Sequence, residues 1–106
     1  MTAFDIEKFT GGWIMGDFHP AIIRTKDAEV AIKRYTAGQS EPAHVHKIAR
    51  EITVIIDGMV SMNGRTYTKN SAICIEPGDV TDFLALTDAV TCVIKTPSVI
   101  GDKYFV

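Results

Sequence analysis

Residues 38–58 read GQSEPAHVHKIAREITVIIDG, and this stretch carries the strongest structural signal in the chain. His44 and His46 are two positions apart, and side chains at i and i+2 of an extended strand leave the same face. Four residues separate His46 from Glu51, which begins a β-branched run and is therefore expected to open the next strand. Two imidazoles and one carboxylate on a rigid sheet form a donor set for a divalent metal, with open positions for water or substrate.

An all-β fold is expected from the rest of the chain. Short β-branched and aromatic runs recur about every eight to twelve residues between Gly, Pro, Asn and Asp, which is typical of a β-sandwich or barrel. Asn63-Gly64 joins two of these runs and favours a type I′ hairpin turn, because both residues tolerate positive φ. A short helical turn near residues 5–9 is an open alternative to coil. The predicted strands are residues 12–17, 21–25, 29–35, 43–46, 51–56, 59–62, 65–68, 72–75, 82–86 and 90–95.

Composition narrows the classes of protein to consider. The 106 residues are 46% hydrophobic and 23% charged, as expected for one globular domain. A formal net charge of -2 without a basic run argues against nucleic acid as a partner. No apolar run approaches the roughly 20 residues of a membrane span. Cys74 and Cys92 lie within apolar runs, which predicts reduced core thiols in a cytoplasmic protein.

The strand that follows the histidines carries apolar residues on both faces. Ile52, Val54 and Ile56 share one face, and Ile55 shares the other with Thr53. A strand covered on both sides belongs between two layers or beneath a partner subunit. The sequence therefore predicts a homodimer.

The spacing around the two histidines resembles the first conserved motif of the cupin superfamily. Residues 38–58 follow the pattern Gly-x5-His-x-His-x4-Glu-x6-Gly, with all five fixed positions present. Residues 70–83 resemble a degenerate second motif, in which Gly78 is retained and Thr81 falls where a histidine is usual. Glu76 and Asn70 replace a proline and a glycine of that motif. The resemblance covers residues 30–97, about two thirds of the chain.

This resemblance implies one cupin-like domain over residues 1–106, folded as an antiparallel β-barrel or jelly roll with a metal inside one mouth. His44, His46 and Glu51 match three of the usual metal ligands, and the fourth is missing. Thr81 and Asp82 are the candidates for a fourth or supporting position. Thr81 donates weakly to divalent ions, and Asp82 turns outward if Thr81 points inward. The expected cofactor is a divalent ion such as Fe, Mn, Zn or Ni.

Arg34 and Tyr35 are candidates for contact with a substrate at the mouth. They lie on adjacent positions of one predicted strand, so only one of them can point inward. If Val30 and Ile32 face the core, Arg34 faces inward with them; the opposite parity places Lys33 and Tyr35 inside. An inward Arg34 would suit an anionic substrate.

Three classes of function remain open at this point. The first is a metal-dependent enzyme of the oxygenase, isomerase or lyase type, with an ion that polarises a bound substrate. The second is a metal-free binding module for a small ligand such as a sugar or an acid. The third is a metal-free isomerase or epimerase that uses a histidine as base. A fold shared by all three cannot decide between them. We therefore predict a divalent-metal site that binds or acts on a small molecule.

Overall fold

A computed structural model describes residues 1–106, which form eleven strands in two β-sheets. Every predicted strand is present, and four of them have the predicted bounds. A 3-10 turn at Ile6–Lys8 begins beside Asp5, whose side chain accepts a hydrogen bond from the backbone N–H of Glu7. The strands are β1 (Trp13–Gly16), β2 (Ile23–Arg24), β3 (Glu29–Tyr35), β4 (Ser40–Val45), β5 (Arg50–Asp57), β6 (Met59–Met62), β7 (Arg65–Thr68), β8 (Ala72–Ile75), β9 (Val80–Ala85), β10 (Ala89–Thr96) and β11 (Tyr104–Phe105).

The two sheets are antiparallel except at one edge. The first sheet has the order β2-β1-β3-β10-β5-β8, and the second has the order β11-β4-β9-β6-β7. The β1–β2 pair is parallel. No strand pairing joins the two sheets, so the fold is an open jelly roll rather than a closed barrel. This arrangement confirms the predicted all-β jelly-roll class.

Turns form where the sequence supplies residues that tolerate positive φ. The β6–β7 hairpin closes through Asn63 and Gly64, at φ values of 51° and 78°, as the turn sequence predicts. Asn70, which stands where the second cupin motif has a glycine, also has positive φ, at 74°. Asparagine reaches this left-handed region more easily than most residues with a side chain.

The hydrophobic core lies between the sheets and is built by both of them. Burial alternates along β5 and β10, as it must where one face of a sheet packs on another layer. The Tyr35 ring packs beside Phe83, with ring centroids 4.5 Å apart. The core consists of Ile55, Val60, Met62, Ile75, Phe83, Ala85 and Ala89.

One end of the sandwich has polar residues on its inner face instead. Lys95 of β10 pairs in register with Glu29 of β3 on one side and with Glu51 of β5 on the other. In the opposite sheet, His44 of β4 pairs with Thr81 of β9. The inner face at this end therefore carries charged and hydrogen-bonding groups, and the candidate site lies there.

The outer face of the first sheet is apolar, which corrects one prediction. Cys74 is exposed and Cys92 is half-buried, and both are free thiols on this face rather than core residues. Apolar runs misled the prediction because both faces of this sheet are apolar. No helix in the chain is long and apolar enough to cross a membrane.

Candidate functional site

The two histidines come together at the end of β4. His44 and His46 are both buried, with ring centroids 5.1 Å apart and planes at 76°. His44 Nδ1 lies 3.1 Å from the carbonyl oxygen of Pro42. Because a carbonyl oxygen only accepts, this contact assigns the proton to Nδ1 and leaves Nε2 of a neutral His44 as an acceptor.

His46 is the more unusual of the pair, because its Nε2 is buried and has no hydrogen-bond partner. Burial, together with the positive charges of Lys95 and His44, lowers the pKa of His46 to about 4. Its ring is therefore neutral at pH 7. A buried polar atom without a partner costs about 1–3 kcal/mol, so Nε2 requires a hydrogen bond that the side chains around it do not supply.

The turn between the histidines and Glu51 is held by a residue from the end of the chain. The carboxylate of Asp102 accepts backbone N–H bonds from Lys47, Ile48 and Ala49, at 2.9, 3.1 and 2.8 Å. Burial alone would raise the pKa of Asp102, but these three N–H groups outweigh it and hold the pKa below its usual value. No local sequence pattern indicates this contact, because its partners lie 53 to 55 residues apart.

Glu51 points inward at the start of β5. It is 8% exposed, and its Oε2 accepts a hydrogen bond from the Thr53 hydroxyl at 2.9 Å. It lines a small cavity of about 40 Å³ together with His44 and Thr81. His46 lines a different and larger cavity of about 410 Å³.

The donor groups of the predicted metal site are only partly brought together. The imidazole pair and the partnerless Nε2 of His46 suit an ion. Against it, no three His, Cys, Asp or Glu side chains lie close enough together to hold one. The structure brings the rings of His44 and His46 together, but Glu51 shares only the small cavity with His44, and His46 lines the larger cavity. The residues as placed do not fit a three-donor centre, so no step below is routed through a metal.

The positions flanking the predicted ligands are also located. Thr81 lies opposite His44 in the β4–β9 pairing and borders the small cavity. Asp82 is exposed at the rim of that cavity, and its carboxylate accepts the backbone N–H of Asn63 at 2.7 Å. The Asp82 carboxylate therefore stabilises the β6–β7 turn.

Strand parity places Arg34 outside and its neighbours inside. Arg34 is exposed and lines neither of the two cavities near the histidines. The Tyr35 hydroxyl donates to Glu41 Oε1 at 3.3 Å, beneath the small cavity that Glu41 lines. Burial, reinforced by Glu41, raises the pKa of Tyr35, so its hydroxyl stays protonated. Lys33, the other inward residue, lines both cavities.

Lysines and an aromatic wall connect the two cavities. Trp13, Lys33, Lys95 and Lys103 line both of them. The Nζ atoms of Lys33 and Lys95 lie 5.3 and 5.1 Å from the centroid of the Trp13 ring. No local sequence pattern distinguishes Lys95 and Lys103 from lysines that are fully solvated.

Comparisons with known proteins bear on the fold. No protein-family model matches the sequence, and no curated protein matches it either. An uncharacterized conserved protein with a double-stranded beta-helix domain from Klebsiella pneumoniae matches with a TM-score of 0.70 and 17% identity, over 93% of this chain and 87% of that one.

Two further solved structures are similar. An RmlC-like cupin protein from Desulfovibrio desulfuricans matches with a TM-score of 0.63 and 17% identity, over 71% of this chain and 76% of that one. A cupin-superfamily sugar phosphate isomerase from Silicibacter pomeroyi matches with a TM-score of 0.63 and 17% identity, over 68% of this chain and 52% of that one. The chain therefore has the double-stranded β-helix fold of the cupin proteins, as its motif spacing indicated.

Proposed function

We propose that this cupin-fold chain binds a small molecule in the larger cavity without needing a metal ion. The observation that carries the proposal is the buried Nε2 of His46, which has no partner and belongs to a residue lining a cavity of about 410 Å³. Ligand sites of about 300–1,000 Å³ with a few converging polar groups are typical of small-molecule binding. Trp13 and Phe18 form an edge-to-face aromatic pair on the same cavity, with centroids 6.3 Å apart.

A screen of small sugars and acids by protein NMR, with excess chelator present, tests this proposal. Bound compounds are expected to shift the signals of Trp13 and His46 while leaving Lys69, an exposed residue that follows β7, unchanged. A screen in which no compound shifts Trp13 or His46 contradicts the proposal.

A divalent-metal site is the second candidate, favoured by the close pair of buried imidazoles. To hold an Fe, Mn, Zn or Ni ion, Glu51 would have to move toward His44 and His46, and the ion would supply charge for polarising a bound substrate. Elemental analysis of untagged protein decides between the candidates. Stoichiometric metal that is lost in His44→Ala supports the ion, and trace metal in both proteins supports metal-free binding.

The metal-free proposal also has an enzymatic form. The similar structure from Silicibacter pomeroyi is described as a sugar phosphate isomerase, which supports an isomerase or epimerase as a possibility to test. Long incubation of a bound compound with the protein separates binding from catalysis. Recovery of the unaltered compound supports a binding module, and conversion that falls in His46→Gln supports the enzyme.

A homodimer is proposed through the outer face of the first sheet. Strand pairing joins apolar side chains across this face, as in the pairs Ile94–Ile52 and Cys92–Val54. Large exposed apolar patches mark interaction sites, and Ile52 and Ile56 are 38% and 42% exposed here. Ile52→Lys is expected to convert a dimer to a monomer in light scattering, and a monomeric wild type contradicts the proposal. The apolar outward residues are Val30, Ile32, Ile52, Val54, Ile56, Ala72, Cys74, Val90, Cys92 and Ile94.

We also propose that the protein is cytoplasmic and that residues 1–106 form a single domain. The two free thiols support a reducing compartment.

A further inference from the structure

We infer that the larger cavity binds a small organic anion, a monocarboxylate with an apolar body. The inference rests on the proposed function, because it names the ligand class for the same cavity. It follows from the charges on the cavity wall, from the position of Trp13 among them and from the partnerless atom of His46.

Three lysines and two acidic residues lie on the wall of the larger cavity. The ammonium groups of Lys33, Lys95 and Lys103 line it, and the carboxylates of Glu29 and Asp102 are the negative groups. Lys33 pairs with Glu41 and Lys95 pairs with Glu29, so the charge of Lys103 has no carboxylate counterpart. A ligand with a single carboxylate would balance it.

Both carboxylates of the wall are already engaged. Asp102 accepts three backbone N–H bonds. Glu29 accepts the Ser98 hydroxyl at 2.7 Å and lies 3.7 Å from Lys95 Nζ. A bound anion would therefore not have to break an ion pair with Asp102, and it would share Lys95 with a carboxylate that has a second donor.

Lys103 supplies the charge that remains. The four ion pairs of the structure involve Arg24, Lys33, Arg50 and Lys95, and none involves Lys103. Its side chain lines the cavity mouth and is exposed to solvent. An ammonium without a carboxylate partner is available for a charge-assisted hydrogen bond to a ligand.

The aromatic wall suits an apolar body on that anion. The ammonium groups of Lys33 and Lys95 lie within cation–π range of the same Trp13 ring, so positive charge and an apolar surface are adjacent. Phe18, Pro20 and Val99 extend the apolar lining. A carboxylate beside the ammonium groups would direct the rest of the ligand along this surface.

A titration with two matched compounds tests the ligand class. Trp13 is the only tryptophan, so its indole N–H gives a single signal in a nitrogen-edited NMR spectrum. We would titrate protein in excess chelator at pH 7 with cyclohexanecarboxylate and, separately, with the neutral cyclohexanemethanol. The carboxylate is expected to bind about tenfold more tightly, the equivalent of one additional charge-assisted contact of about 1.4 kcal/mol.

Substitution of Lys103 identifies the group responsible. Lys103→Met is expected to weaken carboxylate binding about threefold to tenfold and to weaken alcohol binding less than that. Lys69→Met is the control, because this exposed lysine lines neither cavity near the histidines. Both substitutions are at exposed positions, so the fold should be retained and is checked in the same spectra.

The outcomes separate the inference from the proposed function. Equal affinity for the carboxylate and the alcohol overturns the anion inference and leaves small-molecule binding in place. Equal carboxylate affinity in Lys103→Met and Lys69→Met also overturns it. If neither compound shifts the Trp13 or His46 signals, the anion inference fails, and the screen of sugars and acids decides the proposed function separately.

Discussion

The carboxylate of Asp102 stabilises the turn between the histidines and Glu51, so replacing this carboxylate should destabilise the fold. Its carboxylate is 5% exposed and accepts three backbone N–H bonds of 2.8 to 3.1 Å from residues 47–49. Hydrogen bonds to a charged group contribute about 1.5–3 kcal/mol each, although such values do not add fully. Asp102→Asn keeps one acceptor oxygen and turns an NH₂ group toward N–H donors. We expect a loss of about 2–4 kcal/mol in the free energy of unfolding.

Urea unfolding at pH 7 measures this loss. Asp88→Asn is a matched control, because Asp88 is exposed and accepts a single backbone N–H, from Ala37 at 2.8 Å. The control should lose clearly less stability than Asp102→Asn. Equal losses in the two variants would refute the reasoning, since the extra N–H bonds and the burial of Asp102 would then contribute nothing measurable. A loss of 2–4 kcal/mol would be large beside the roughly 5–15 kcal/mol of a typical domain.

Three further predictions concern stability. The free energy of unfolding lost in Asp102→Asn should be greatest above about pH 4, the ordinary carboxyl pKa, and should shrink as the pH falls through the lower pKa of folded Asp102. A loss that grows on acidification would contradict this prediction. Gly58→Ala should lower the free energy of unfolding by more than about 2 kcal/mol, because φ is +85° and a Cβ would collide with the carbonyl oxygen of Asp88. Gly64→Ala, which is also at positive φ but in open space, should lower it less. Urea unfolding curves of the two variants measure the difference. His46→Leu should leave stability unchanged or raise it by up to about 1 kcal/mol, because it removes a partnerless buried atom, while weakening ligand binding; a loss above 2 kcal/mol would show that Nε2 is satisfied in solution.

Local sequence patterns were enough to predict most of the strands. Gly, Asn and Asp mark the turns, and the Asn63-Gly64 hairpin forms with the expected backbone. The two-residue spacing of His44 and His46 also predicts their shared face, because it depends only on the pleat of one strand. These features are encoded within a few residues.

Features that depend on distant parts of the chain were not predictable in this way. The contacts of Asp102 with residues 47–49 span 53 to 55 residues, and Lys103 reaches the cavity from the same C-terminal segment. Spacing could place Glu51 on the strand after the histidines, but it could not show that Glu51 and His46 line different cavities.

Strand parity was ambiguous for a different reason. Both faces of the first sheet carry apolar residues, so Val30 and Ile32 did not reveal which side of β3 points inward. The structure places these two residues outward with Arg34, and Lys33 and Tyr35 inward. The same two-sided apolar character led to the wrong prediction that Cys74 lies in the core.

Metal-independent binding at the cavity lined by His46 and Trp13 is tested most directly by measuring one dissociation constant under two conditions. Untagged protein would be titrated with cyclohexanecarboxylate before and after exhaustive chelation, with metal content determined in both samples. The same dissociation constant is expected in both samples. Affinity that disappears on chelation and returns when Zn²⁺ or Mn²⁺ is added would contradict it.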